Sequence, residues 1–141
     1  MSQENLEQLR QALDAFNRRD KAAWVALCDP EFETVPSRMW PEIDVIRGPD
    51  AAWDFYMETD EPWEQSPYEY VEVIDAGPDK VVAHQRRDMQ GKASGAGVVY
   101  DFWLVVTLRN GKALRAEWFD ERREALEAAG LSERDAHAED S

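Results

Sequence analysis

The stretch from Ser94 to Leu131, SGAGVVYDFWLVVTLRNGKALRAEWFDERREALEAAGL, restricts the fold more than any other part of the chain. Val98, Tyr100, Phe102, Leu104, Val106 and Leu108 fall on its even positions, and in an extended chain alternate side chains share one face. Asn110-Gly111 is a dipeptide that closes a two-residue hairpin, because both residues tolerate positive φ. Lys112 to Phe119 is then the returning strand. Asp120 directly precedes Glu121-Arg122-Arg123-Glu124 and reads as the cap of a terminal helix. The even face of the Val98–Leu108 strand turns inward, yet Val99, Trp103 and Val105 lie on the odd face. Leaving large apolar side chains in water forgoes roughly 1.5–3 kcal/mol each. That patch therefore points to a homodimer through the outer sheet face.

Helices come first along the chain. Leu6, Leu9, Leu13 and Phe16 recur at three and four residues, one apolar stripe on a helix from about Gln3 to Arg18. Asp20 caps a second helix whose inner face is Trp24, Leu27 and Cys28. Asp29-Pro30 stops that helix, and Phe32 to Val35 is a short strand. A long loop with Pro36, Trp40 and Pro41 leads to Gly48-Pro49-Asp50, which opens a third helix, since proline is tolerated where no amide donor is needed. Ala52, Phe55 and Tyr56 share a face of it. Tyr68–Ala76 and Lys80–Met89 are further strands, separated by Gly77-Pro78-Asp79. Three helices, four or five strands and a terminal helix predict an α+β domain over residues 1–131. Its mostly antiparallel sheet curls into a cone around the N-terminal helices, and the mouth of a cone is a natural pocket for an apolar ligand.

Composition narrows the function classes. The chain has 141 residues, 43% of them hydrophobic, with six Trp, which suits one domain with one core. A net charge of −14 repels phosphate backbones and acidic lipid, so neither nucleic acid nor membrane is an expected partner. No apolar run is long enough for a membrane span and the first residues lack a signal core, which makes the cytoplasm the default location. The lone Cys28 reads as a buried, inert thiol. The last ten residues, 132–141, hold four acids and one Arg with no large apolar side chain, and read as a disordered acidic tail.

The order strand, Asn-Gly turn, strand, capped helix resembles the SnoaL-like branch of the nuclear transport factor 2-like superfamily. So do Ala15-Phe16-Asn17-Arg18-Arg19-Asp20 with Leu27 and Asp29-Pro30, and Gly48 with Phe55. The resemblance covers most of residues 5 to 131. It implies a cone-shaped fold around a small-molecule pocket and no cofactor. It also implies binding of an apolar polyketide- or steroid-like compound, with cofactorless isomerase or cyclase chemistry as its enzymatic form. A noncatalytic dimeric interaction or assembly module on the same fold is the alternative. Ketosteroid isomerases of the superfamily use a tyrosine on the first helix, a base after the first strand and a second acid on the sheet. The matching positions here are Ala12, Pro36 and Leu104 or Val105, which lack those groups. SnoaL-like cyclases use an acid on a cone strand; the last strand here offers Glu117, with Asp120 at its end.

The remaining candidates come from the residues themselves. His84 is the single histidine of the folded part, on a strand reading Val82-Ala83-His84-Gln85-Arg86-Arg87. With Val82, His84 and Arg86 inward, an imidazole and a guanidinium enter the pocket, and His84 is the candidate general acid or base. With Val81 and Ala83 inward, neither does. Trp40, Tyr56, Tyr100, Phe102 and Trp118 are the candidate aromatic walls, with Arg86 as a polar contact. Trp63 joins Trp40 in Pro-containing loops near the expected mouth. Glu117 faces outward beside Arg115 if Leu114, Ala116 and Trp118 face inward. No His-x-x-x-His or acid cluster supports a metal site.

Overall fold

The computed structural model describes residues 3–36, 40–64 and 66–133. Helix α1 (Gln3–Asn17) and helix α2 (Lys21–Ala26) are followed by β1 (Cys28–Val35) and the two-residue β2 (Ile46–Arg47). Helix α3 (Pro49–Asp60) leads to β3 (Glu69–Asp75), β4 (Lys80–Gln90), β5 (Gly97–Arg109) and β6 (Lys112–Phe119), and α4 (Arg122–Ala128) ends the fold. The fold is α+β, as expected, with one curved, unclosed sheet of six strands in the order β2-β1-β6-β5-β4-β3. All pairs are antiparallel except β1 with β6.

Local signals act as read. The Asp20 carboxylate accepts from the Ala23 amide at 3.1 Å and caps α2. Pro49 opens α3 behind Gly48. Asn110 and Gly111 take φ of 53° and 77°, the double positive φ that matches a hairpin turn to the twist of its strands. Asp120 does not cap α4, because the helix starts at Arg122 with Glu121 as the N-cap and no side-chain cap bond. Cys28 begins β1 rather than ending α2. It is buried, and burial pushes its thiol up to about 12.

The β4–β5 register fixes which residues face where. Val81, Ala83, Gln85, Arg87 and Met89 stand opposite Val106, Leu104, Phe102, Tyr100 and Val98. This is the face toward α1, where Leu9 packs with Val81, Ala83, Phe102 and Leu104. The even face of β5 is therefore inward, as its alternation predicts. The opposite face pairs Val82 with Val105, His84 with Trp103 and Arg86 with Asp101.

Part of the outer face is covered from within the chain. Trp103 and Val105 are 9% and 0% exposed, packed with Ile74, Val82, and Ala125 and Leu126 of α4. The terminal helix of the same chain thus covers two of the three residues expected at a dimer contact. Of the three proposed contact residues, Val99 alone stays exposed, at 56%. The acidic tail, from residue 134 on, lies outside the described residues.

Candidate functional site

Between the helices and the inner face of the sheet lies a cavity of 370 Å³. Its walls follow from the two periodicities. Helical spacing brings Leu9, Ala12, Leu13 and Phe16 of α1 to one side, and strand alternation brings Val98, Tyr100, Leu104 and Val106 of β5 to the other. Trp118 of β6 and Tyr56 of α3 complete the wall, their ring centroids 5.4 Å apart. Trp40 and Trp63, from the loops, line it too, and Trp40 packs edge-on against Phe55 at 5.4 Å.

The aromatic wall hangs on one hydroxyl. Thr34 is fully buried on β1. Its Oγ1 accepts from the Tyr56 hydroxyl at 2.8 Å and from Trp118 Nε1 at 2.9 Å, and donates to the Ala116 carbonyl at 3.3 Å. Two rings with polar tips are thereby held by a single acceptor. Burial raises the Tyr56 phenol above its ordinary range, so it stays a donor. Burial likewise pushes Tyr100 up to about 12.

A second polar node sits at the end of α3. Asp60 lines the cavity and pairs with Arg19 through one carboxylate oxygen and with Arg87 through the other. A carboxylate at a helix C-terminus meets the negative end of the dipole, and the two guanidiniums offset that. The Arg87 side chain is completely buried. It also donates to Ser66 Oγ at 3.0 Å, the Tyr68 hydroxyl at 3.2 Å and the Glu64 carbonyl at 3.4 Å. A buried guanidinium is tolerated only with such partners.

Of the residues singled out from sequence, Trp40, Tyr56, Tyr100 and Trp118 line the cavity. Phe102 is fully buried and stacked on Trp118 at 4.6 Å, so it backs the wall instead of forming its surface. His84 and Arg86 do not line the cavity. Both stand on the outer face, with Val82 buried beside them, because β4 turns Val81 and Ala83 inward. His84 stacks on Trp103 at 4.2 Å and 16°, and its Nε2 lies 2.8 Å from Asp101 Oδ1. Arg86 Nε donates to the same oxygen at 2.9 Å. This cluster ties β4 to β5 and lies on the far side of the sheet from the cavity. Glu117 faces outward, as read, within 3.4 Å of Arg115. Thr34, Asp60, Tyr68 and Arg87 were not singled out. What places Arg87 is the β4–β5 register, which puts it on the face of Val81, Ala83 and Gln85; the sequence of β4 alone does not supply that face.

A SnoaL-like domain model matches residues 9–116 of the chain. The crystal structure of TerC co-crystallised with polyporic acid superposes with a TM-score of 0.72 at 22% identity, over 90% of this chain and 98% of that one. An NTF2-like protein of unknown function from Burkholderia pseudomallei gives a TM-score of 0.72 at 23% identity, over 90% and 97%. A protein named a SnoaL-like polyketide cyclase from Jannaschia sp. CCS1 gives 0.72 at 18% identity, over 82% and 84%. At these identities the likeness is one of fold. No functionally curated protein matches the chain in sequence.

Proposed function

The chain belongs to the SnoaL-like domain family, and from that premise we propose that it binds a flat, largely apolar ring compound of polyketide or steroid type within the curled sheet. The observation that carries this reading is the unfilled cavity of 370 Å³ with Trp, Tyr and Phe on its walls. That volume falls within the roughly 300–1,000 Å³ of small-molecule sites, which are mostly apolar with a few placed polar groups. An interaction module needs no such space, and its core is free to fill it. The co-crystallisation of TerC with polyporic acid, on the same fold, is consistent with a ligand here.

Binding is favoured over isomerisation by what lines the space. Ala12, Pro36 and Leu104 or Val105 match the positions of the ketosteroid isomerase groups; none has an ionisable side chain, and Ala12, Pro36 and Leu104 line the cavity. Asp60 lines it too, but both its oxygens are held by Arg19 and Arg87, so neither is left free to act on a ligand.

Isothermal calorimetry with 2-ethylnaphthalene tests the reading. The wild type is expected to bind it saturably. Ala12→Trp, which fills the cavity from α1, is expected to abolish binding while keeping the near-ultraviolet dichroism. Equal binding by Ala12→Trp, or none by the wild type, overturns the proposal.

A further inference from the structure

Tyr68 is held at three points. Its backbone exchanges two hydrogen bonds with the Asn17 side chain, which donates to the Tyr68 carbonyl and accepts from the Tyr68 amide, both at 2.9 Å. Its ring lies between Phe16 at 5.8 Å and, edge-on, Phe102 at 5.6 Å, with the Arg87 guanidinium 4.8 Å from its centroid. Its hydroxyl oxygen accepts from Arg87 Nη1 at 3.2 Å. The residue lines the cavity. A group fixed in backbone, ring and tip meets a ligand without reorganising.

The phenol proton is what remains. Neighbouring donors on the cavity wall are committed to protein acceptors. Tyr56 and Trp118 donate to Thr34, Tyr70 to the Leu9 carbonyl, Gln8 to the Leu27 carbonyl and Thr59 to the Tyr56 carbonyl. Among the described residues no acceptor is recorded for the Tyr68 proton, while Arg87 occupies the oxygen from the other side. The charge behind it is positive on balance, since Arg19 and Arg87 share one carboxylate, Asp60. Burial raises the Tyr68 phenol above its ordinary range, which keeps the proton in place at neutral pH.

We infer that the Tyr68 hydroxyl, backed by Arg87, is the point at which the cavity recognises an acceptor oxygen on its ligand, so that the ligand class is a ring compound bearing a conjugated carbonyl or oxyanion rather than a plain hydrocarbon. The inference rests on the proposed binding function and adds the polar end of the ligand to it. A hydrogen bond from a polarised, pre-positioned phenol draws electron density from the carbonyl carbon onto the oxygen and weakens the C=O bond. It also favours the oxyanion over the neutral acid.

Two probes of like shape separate recognition from packing: 2-acetylnaphthalene, with an acceptor oxygen, and 2-ethylnaphthalene, without one. Tyr68→Phe keeps the ring and removes the proton. We expect it to weaken 2-acetylnaphthalene about 5- to 10-fold, the scale of one hydrogen bond, and to leave 2-ethylnaphthalene unchanged. The infrared carbonyl stretch of bound 2-acetylnaphthalene is expected at lower frequency in the wild type than in Tyr68→Phe. Equal weakening of both probes, or the same carbonyl frequency in both proteins, overturns the inference. If the wild type still binds 2-ethylnaphthalene in a manner abolished by Ala12→Trp, the binding function stands and this inference alone falls. If it binds neither probe, both fall.

Discussion

At the scale of single residues, the inner wall depends on Thr34 more than its size suggests. One hydroxyl accepts from Tyr56 and Trp118, so Thr34→Val keeps the volume and strands two donors, one buried and one part-buried. Each unsatisfied buried donor costs about 1–3 kcal/mol. Thr34→Val is therefore expected to lose about 2–4 kcal/mol in urea unfolding, more than its small change in size accounts for. A loss below about 0.5 kcal/mol would mean the two rings do not rely on it. Such a node escapes sequence reading because its partners lie far apart, Thr34 on β1, Tyr56 on α3 and Trp118 on β6, and threonine in a strand is unremarkable. The face that His84 takes is hidden in the sequence for a different reason. Val81, Val82 and Ala83 are all apolar and all buried, so alternation gave no parity to β4. The register had to come from β5 across the ladder, where Trp103 stands opposite His84.

At the scale of elements, α4 is the surprise. Its apolar content is small, yet Ala125 and Leu126 are buried and close over Trp103, Val105 and Ile74. Arg122 adds its guanidinium over the Trp103 ring at 5.5 Å. The odd face of β5 is legible in the sequence as an apolar patch, whereas the docking of a seven-residue helix onto it is not. Covering the patch within the chain also explains why the strand is apolar on both faces, the pattern of strands buried on both sides. Leu126→Ala is expected to cost about 2–5 kcal/mol, the usual range for such a truncation in a core, and to shift Trp103 emission to the red. An unchanged unfolding midpoint would show that α4 does not hold the outer face. Every element but the two-residue β2 is legible in the sequence, from a sustained period or a local turn signal; how α4 docks is not.

At the scale of the whole molecule, a chain of net charge −14 carries its cations where they hold elements together. Arg109 of β5 pairs with Asp29 of β1 at 2.9 Å, and Arg86 of β4 with Asp101 of β5 at 2.9 Å. The hydrogen bond from Arg109 holds the Asp29 carboxyl below its ordinary value of 3.8. At Asp101 burial acts the other way, but the bonds from His84 and Arg86 prevail and the carboxyl is again lowered. A folded-state value below the unfolded one stabilises the fold above the unfolded value, and that contribution is lost as pH falls through the folded value. The urea midpoint is therefore expected to drop as pH is lowered below about 4, and Arg109→Met to drop less over the same range; a flat profile in the wild type would contradict this. The central claim, a ring compound bound inside the curled sheet, is tested most directly by the indole NH resonances of the six Trp residues during titration with 2-acetylnaphthalene. Trp24, Trp40, Trp63 and Trp118 line the cavity, whereas Trp103 lies under α4 on the opposite face. The account predicts that the Trp118 resonance and those of its fellow lining residues move saturably while Trp103 stays fixed. A shift confined to Trp103, or none at all, would contradict it.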